Sequence, residues 1–173
     1  MNLIQKSSPN FSPGGNTRDL LVIHRTLGLM PGCLEWLTSS LSQVSCHFLI
    51  TKSGEVYQLV PSTDTAWHAG NISNPTPRAK TVLQQKPFGG YVNPNKYTIG
   101  IEFESMANDK WTEPQMASAK ELFKTLPYRE ILTHQDIADY KENMEDWRLE
   151  FLKSPQSPKA EIIKKIKELL DQI

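Results

Sequence analysis

Five short apolar runs do most to limit how this chain folds: LLVIH at 20–24, CHFLIT at 46–51, EVYQLV at 55–60, TIGIEFE at 98–104 and EILT at 130–133. They are rich in β-branched and aromatic residues and bounded by turn formers, which reads as strands. TKSGE, between the second and third, is a hairpin signal in which Gly54 supplies a positive φ. The spacing of apolar residues changes to helical over 34–43, over about 113–126 and over 158–172. The last of these places Ser157 at an N-cap, Pro158 at the first helical position and Ile162, Ile166, Leu169 and Ile173 on one stripe. Between Gly70 and Tyr97 the composition shifts to Pro, Asn, Gly and Lys without a sustained period, the mark of one long ordered loop. The expected class is therefore α/β, with a central mixed β-sheet of about five strands flanked by helices.

At 173 residues the chain suits a single domain, 1–173, with a core over 19–150 and a C-terminal helix over 158–173. Lys plus Arg and Asp plus Glu number 19 each, so no global field favours nucleic acid or an anionic membrane. Partner recognition is then local, and the number of subunits is not readable. Cys33 and Cys46 are too few for a disulfide scaffold and form no CxxC pair; free thiols are expected. No run approaches the roughly 18 apolar residues of a membrane span, and the N-terminal residues lack the apolar core of a signal peptide. The expectation is a protein left in the cytosol as made unless another route exports it.

The chemistry falls to the four histidines, because imidazole both ligates metals and moves protons near neutral pH. His24 ends the run LLVIH and His134 follows EILT, so both stand where buried strands exit and can meet across neighbouring strand ends. Either one alone is more often a structural polar group than a ligand. Glu102 and Glu104 alternate with Ile101 and Phe103 along TIGIEFE, which puts the carboxylates on one face. His47 reads as satisfying a hydrogen bond in the core, and Trp36, Trp111 and Trp147 as core or lid residues. A Cys-His hydrolase built on Cys46 is disfavoured, since a strand offers a thiolate none of the stabilisation of a helix N-terminus.

Taken in order, the strand ending in His24, the segment HFLI…G…YQLV, the pentapeptide AWHAG at 66–70, IGIE at 99–102 and H-x-D-I-A at 134–138 resemble the type 2 N-acetylmuramoyl-L-alanine amidases. That zinc amidase family includes T7 lysozyme-like enzymes, cytosolic anhydromuropeptide amidases and the peptidoglycan recognition proteins. The likeness runs from about residue 19 to about 143. It implies hydrolysis of the amide joining N-acetylmuramic acid to L-alanine in peptidoglycan or muropeptides, with zinc as cofactor. It also implies His24 and His134 as zinc ligands, and Glu102 as the carboxylate that orients or deprotonates water. The tyrosine that the T7-like branch places just before the HF pair is Cys46 here, so the resemblance leans on Glu102.

Members carry K-x-D or K-x-C after the second histidine, with the lysine stabilising an oxyanion. Lys141-Glu142-Asn143 occupies that frame, without the usual Pro-Gly behind it. A carboxamide is a poor zinc ligand, so the third ligand is Asn143 by position or Asp146 by chemistry. Trp67 and His68 are expected to line the substrate groove, unless His68 packed against Trp67 merely fixes the loop, and Arg25 is expected to meet a substrate carboxylate or remain solvated. The competing reading is a peptidoglycan-binding module that kept the groove and lost its chemistry through Asn143.

Overall fold

A computed structural model describes residues 2–141. The helix expected over 158–173, together with Asn143, Asp146 and Trp147, lies outside the described residues. Eight strands are present among those described: β1 (Leu3–Gln5), β2 (Phe11–Ser12), β3 (Leu20–Arg25), β4 (Phe48–Ile50), β5 (Val56–Gln58), β6 (Thr65–Ala66), β7 (Thr98–Phe103) and β8 (Glu130–Thr133). The helices are α1 (Gly32–Thr38), α2 (Pro77–Lys80), α3 (Glu113–Thr125) and α4 (His134–Ile137). Six strands form one mixed sheet in the order β1-β5-β4-β7-β3-β8, and β2 pairs with β6 in a separate antiparallel ribbon.

The middle of the sheet is parallel: β4, β7, β3 and β8 run the same way, while β5 turns back against β4 and β1 runs alongside β5. This accounts for the composition of β3, whose Leu20, Leu21, Val22 and Ile23 are all buried, because a parallel strand is covered on both faces and reads as an unbroken apolar run. The β4–β5 hairpin turns at Gly54, with φ +87°, as the TKSGE signal predicts. A side chain there would also press on the carbonyl of Pro114 at the start of α3.

The sheet has six strands where about five were expected. β1 was unforeseen because three residues show no measurable period; its pairing with β5, Leu3 against Val56, comes from tertiary contact alone. The helix expected over 34–43 occupies Gly32–Thr38 instead. Its far end is taken over by hydroxyls: Thr38 Oγ1 donates to Leu34 O at 2.9 Å and Ser42 Oγ to Ser39 O at 2.9 Å, local bonds that compete with the helical ladder. Helix α3 matches its expected span and begins with a capping box between Thr112 and Gln115. The long segment after Gly70 is ordered as a loop that includes α2 and a 3-10 turn at Pro94–Lys96.

One close approach links two parts of the chain that are far apart in sequence. Gly100 in β7 lies under the His68 ring, and a Cβ at that position would overlap the ring's Cγ, Nδ1 and Cδ2 atoms. Gly100→Ala is therefore expected to lower the unfolding free energy by about 1–3 kcal/mol, the usual scale of overpacking. Gly32→Ala, where a Cβ meets nothing within 4 Å, is expected to change it little. Urea unfolding of the two variants checks the contrast.

Candidate active site

The parallel register builds the site. His24 pairs with Glu102 across β3 and β7, and residues in register on parallel strands leave the sheet on the same side. Ile23 pairs with Thr133, so His134 comes one residue beyond the last pairing of β3 with β8. Three chemically capable side chains thus rise in a row at the carboxyl ends of adjacent parallel strands, the edge where open α/β sheets bind ligands.

Their rings converge. His24 Nδ1 and His134 Nδ1 are 2.9 Å apart, and Glu102 Oε1 lies 4.0 Å from His24 Nδ1. His134 Nε2 faces the carbonyl of Ala69 at 3.1 Å, and since a carbonyl only accepts, that nitrogen carries the ring proton and Nδ1 presents a lone pair. Burial holds the His134 pKa down at about 4, with the positive charge of Lys141 adding to the effect. His24 is pushed well below its ordinary value by burial first and by His134 and His68 after it. Glu102 shifts the other way, up to about 8, because burial disfavours its anion more strongly than Lys141 supports it. Its Oε2 atom is buried without a hydrogen-bond partner among the described residues.

Two neutral imidazoles aiming nitrogens at one point, with a carboxyl beside them, are the donor types zinc prefers. His24 and His134 fit that ion on the chemistry of their facing nitrogens. Among the described residues no group of three His, Cys, Asp or Glu forms a complete ligand set. Both sequence candidates for the remaining position, Asn143 and Asp146, fall outside the described residues. Lys141 is exposed, and its ammonium stands 5.2 Å from the Tyr140 ring while still acting on His24, Glu102 and His134.

The other residues singled out by sequence are also placed. His68 is buried, with Nδ1 3.0 Å from His24 Nε2 and Nε2 3.1 Å from Thr98 Oγ1. Trp67 is half-buried and its indole N–H donates to Ser12 Oγ in β2. Arg25 turns to the loop after β7: it donates to the carbonyls of Met106 and Asp109, and its guanidinium carbon lies 4.2 Å from the centre of the Trp111 ring. Glu104 is buried just past the end of β7, accepting the backbone N–H groups of Met30 and Lys52, which ties two loops together. His47 does hold a core hydrogen bond, its Nδ1 accepting the Gly100 N–H at 2.9 Å. Cys46 is wholly buried and its thiol is pushed far up by burial, which argues against a nucleophilic thiolate. Trp36 is exposed on α1.

Sequence reasoning missed two supporting residues. Asp136 Oδ2 accepts the backbone N–H and the hydroxyl of Thr133, and the Thr133 hydroxyl caps Asp136 N in return. That closed capping box starts α4 and fixes the backbone of His134; the Thr-x-x-Asp spacing at 133–136 was the available signal. Asn95 Oδ1 accepts the N–H groups of both His68 and Ala69. No local pattern announces that contact, which spans 26 and 27 residues.

A family profile described as N-acetylmuramoyl-L-alanine amidase, Amidase_2, matches residues 14–147, most of the chain. The chain belongs to this amidase family. Among curated amidases and their relatives, N-acetylmuramoyl-L-alanine amidase A of Achromobacter lyticus is 30% identical over 123 residues, covering 69% of this chain and 57% of that protein. The 1,6-anhydro-N-acetylmuramyl-L-alanine amidase AmpD of Haemophilus influenzae is 36% identical over 80 residues, 46% of this chain and 36% of its own length. The chain thus spans between about a third and three fifths of the curated relatives it matches. A crystal structure of an AmpD derivative superposes with TM-score 0.62 at 24% identity, covering 84% of this chain and 90% of that one. AmiD of E. coli, solved with anhydro-N-acetylmuramic acid-L-Ala-D-gamma-Glu-L-Lys, gives 0.59 at 24% identity over 83% of this chain and 59% of AmiD. These superpositions show the shared amidase fold.

The buried titrating groups predict a pH dependence for the metal-free protein. Folded pKa values of about 4 for His47 and His134 lie below the unfolded 6.5, so between those limits the unfolded chain takes up protons the folded one refuses. Stability from these rings is complete above pH 6.5 and is lost as pH falls towards 4. His24 and His68, shifted in the same direction, add to the loss. Glu102 acts with opposite sign between 4.5 and about 8, where the folded carboxyl keeps a proton that the unfolded one releases. Four imidazoles outweigh one carboxyl below pH 6.5, and only the carboxyl titrates above it. The urea midpoint of chelator-treated protein should rise from pH 4 to a maximum at about 6.5 and decline gently towards 8.

Proposed function

We propose that this chain is a zinc-dependent amidohydrolase that cleaves the amide between N-acetylmuramic acid and L-alanine in peptidoglycan or in muropeptide fragments. The observation that carries the reading is the meeting of His24 Nδ1 and His134 Nδ1 at 2.9 Å beside a carboxyl whose pKa is raised to about 8. Family membership supports an amide as the bond attacked, and the names of the matching relatives support the muramyl-L-alanine linkage as its place.

His24 and His134 would hold the ion. When bound, zinc supplies Lewis acidity toward a carbonyl oxygen and lowers the pKa of water. Glu102 then has two tasks, to accept a proton from the attacking water at its unpartnered Oε2 and to hand it to the departing amine. A nearby cation favours the anion that burial disfavours, so with zinc bound Glu102 is better able to take up that proton. The Lys141 ammonium, whose charge acts on His24, Glu102 and His134, would stabilise negative charge developing on the carbonyl oxygen. No covalent intermediate with the protein is needed.

Asn143 favours a second reading, a module that binds peptidoglycan without cutting it, because a carboxamide at the third ligand position weakens zinc. Metal analysis of protein purified without chelator, joined to mass spectrometry of digested muropeptides, separates the two. The hydrolase reading expects zinc near one equivalent and free L-alanine-terminated stem peptide. Less than about a tenth of an equivalent with intact muropeptide, reversed by Asn143→Asp, identifies the binding module. Within the hydrolase reading, Glu102→Gln should reduce kcat by about 10²–10⁴-fold while leaving zinc content unchanged.

A further inference from the structure

The hydrogen bonds behind His24 form a chain with only one consistent assignment of protons. Thr98 Oγ1 lies 2.8 Å from the carbonyl of Pro94, which only accepts, so the single hydroxyl proton is committed there. Facing His68 Nε2 at 3.1 Å, the same oxygen must then accept, which places the His68 ring proton on Nε2. His68 is buried, and its ring nitrogens contact Thr98 and His24, neither of them acidic. A neutral ring carries one proton, so His68 Nδ1 is a lone pair. His24 Nε2, 3.0 Å away, must donate to it. That leaves His24 Nδ1 bare, opposite the bare Nδ1 that Ala69 imposes on His134.

We infer that His68 and Thr98 are positioning residues that lock His24 in the tautomer with Nε2 protonated, so that its Nδ1 lone pair is presented to a cation. In this role the pair acts through His24, which His68 contacts at 3.0 Å. Two further features hold it in place. Asn95 fixes the backbone of His68 and of Ala69 together, and Gly100 leaves the volume the His68 ring fills. AWHAG and IGIE are thereby one device: the first supplies the histidine and the Ala69 carbonyl, the second supplies the space at Gly100, and Thr98 stands just before it. The consequence for metal rests on the zinc reading proposed above, but the tautomer itself does not.

The test uses the full chain labelled with 15N in histidine and stripped of metal by chelator. Long-range proton–nitrogen correlation is expected to show His24 and His68 each protonated at Nε2. Thr98→Val removes the accepting oxygen at nearly constant shape, and should turn His24 into a mixture of tautomers. Zinc affinity, read by competition with a chromophoric chelator, should fall ten- to a hundredfold, the scale for partners of a metal-ligating histidine. Thr98→Ser should restore both readouts. Wild-type His24 protonated at Nδ1 overturns the inference whether or not any variant folds. So does a Thr98→Val protein with the wild-type tautomer and zinc affinity within twofold. A wild-type protein with the expected tautomers, lost in Thr98→Val, that binds no zinc upholds the lock and removes the zinc hydrolase reading instead.

Discussion

Everything at the carboxyl edge of this sheet depends on two imidazole nitrogens being held face to face. His24 and His134 approach to 2.9 Å at Nδ1, within a space from which burial has removed the option of ordinary protonation. Like lone pairs at that distance repel, and a positive centre between them relieves the repulsion. The fold supplies the constraint. Leu20 to Ile23 anchor β3 between two parallel neighbours, Asp136 caps the turn that carries His134, and Ala69 fixes that ring from behind. A site of this kind is made by its supports as much as by its ligands.

Much of this was legible in the sequence because it is local. A buried parallel strand reads as LLVIH without knowledge of its partners, and a histidine at its exit is placed by the strand's own direction. The same holds for EILT and His134, for Gly54 in its turn and for His47 in the core. The parts that escaped are non-local or short. β1 exists only through β5, and Asn95 reaches back more than 25 residues to hold the AWHAG backbone. Glu104 was expected to share a face with Glu102 as an outlying group, and nothing in TIGIEFE shows what its carboxylate holds one residue past the end of β7. The buried carboxylate is used instead to satisfy two loop N–H groups.

AWHAG and IGIE look like separate signatures along the chain, yet the structure makes each a condition of the other. His68 needs the missing Cβ of Gly100, and its ring nitrogens bridge His24 to Thr98. His68, which the sequence leaves open between lining the groove and fixing its loop, has both ring nitrogens engaged by His24 and Thr98, and those bonds decide which nitrogen of His24 is bare. Arg25 is similarly committed, to Trp111 and to the carbonyls of the loop after β7. Among the described residues Glu102 keeps an oxygen without a hydrogen-bond partner and Lys141 is exposed, its charge acting on the row.

The most direct test of this account is the zinc K-edge X-ray absorption spectrum of the zinc-loaded full chain. Two imidazoles should appear in the first shell at about 2.0 Å, with their characteristic outer-ring scattering, and one of them should vanish in His134→Ala. A first shell made of oxygen alone, or one unchanged by that substitution, would contradict the claim that these two strand ends grip the ion.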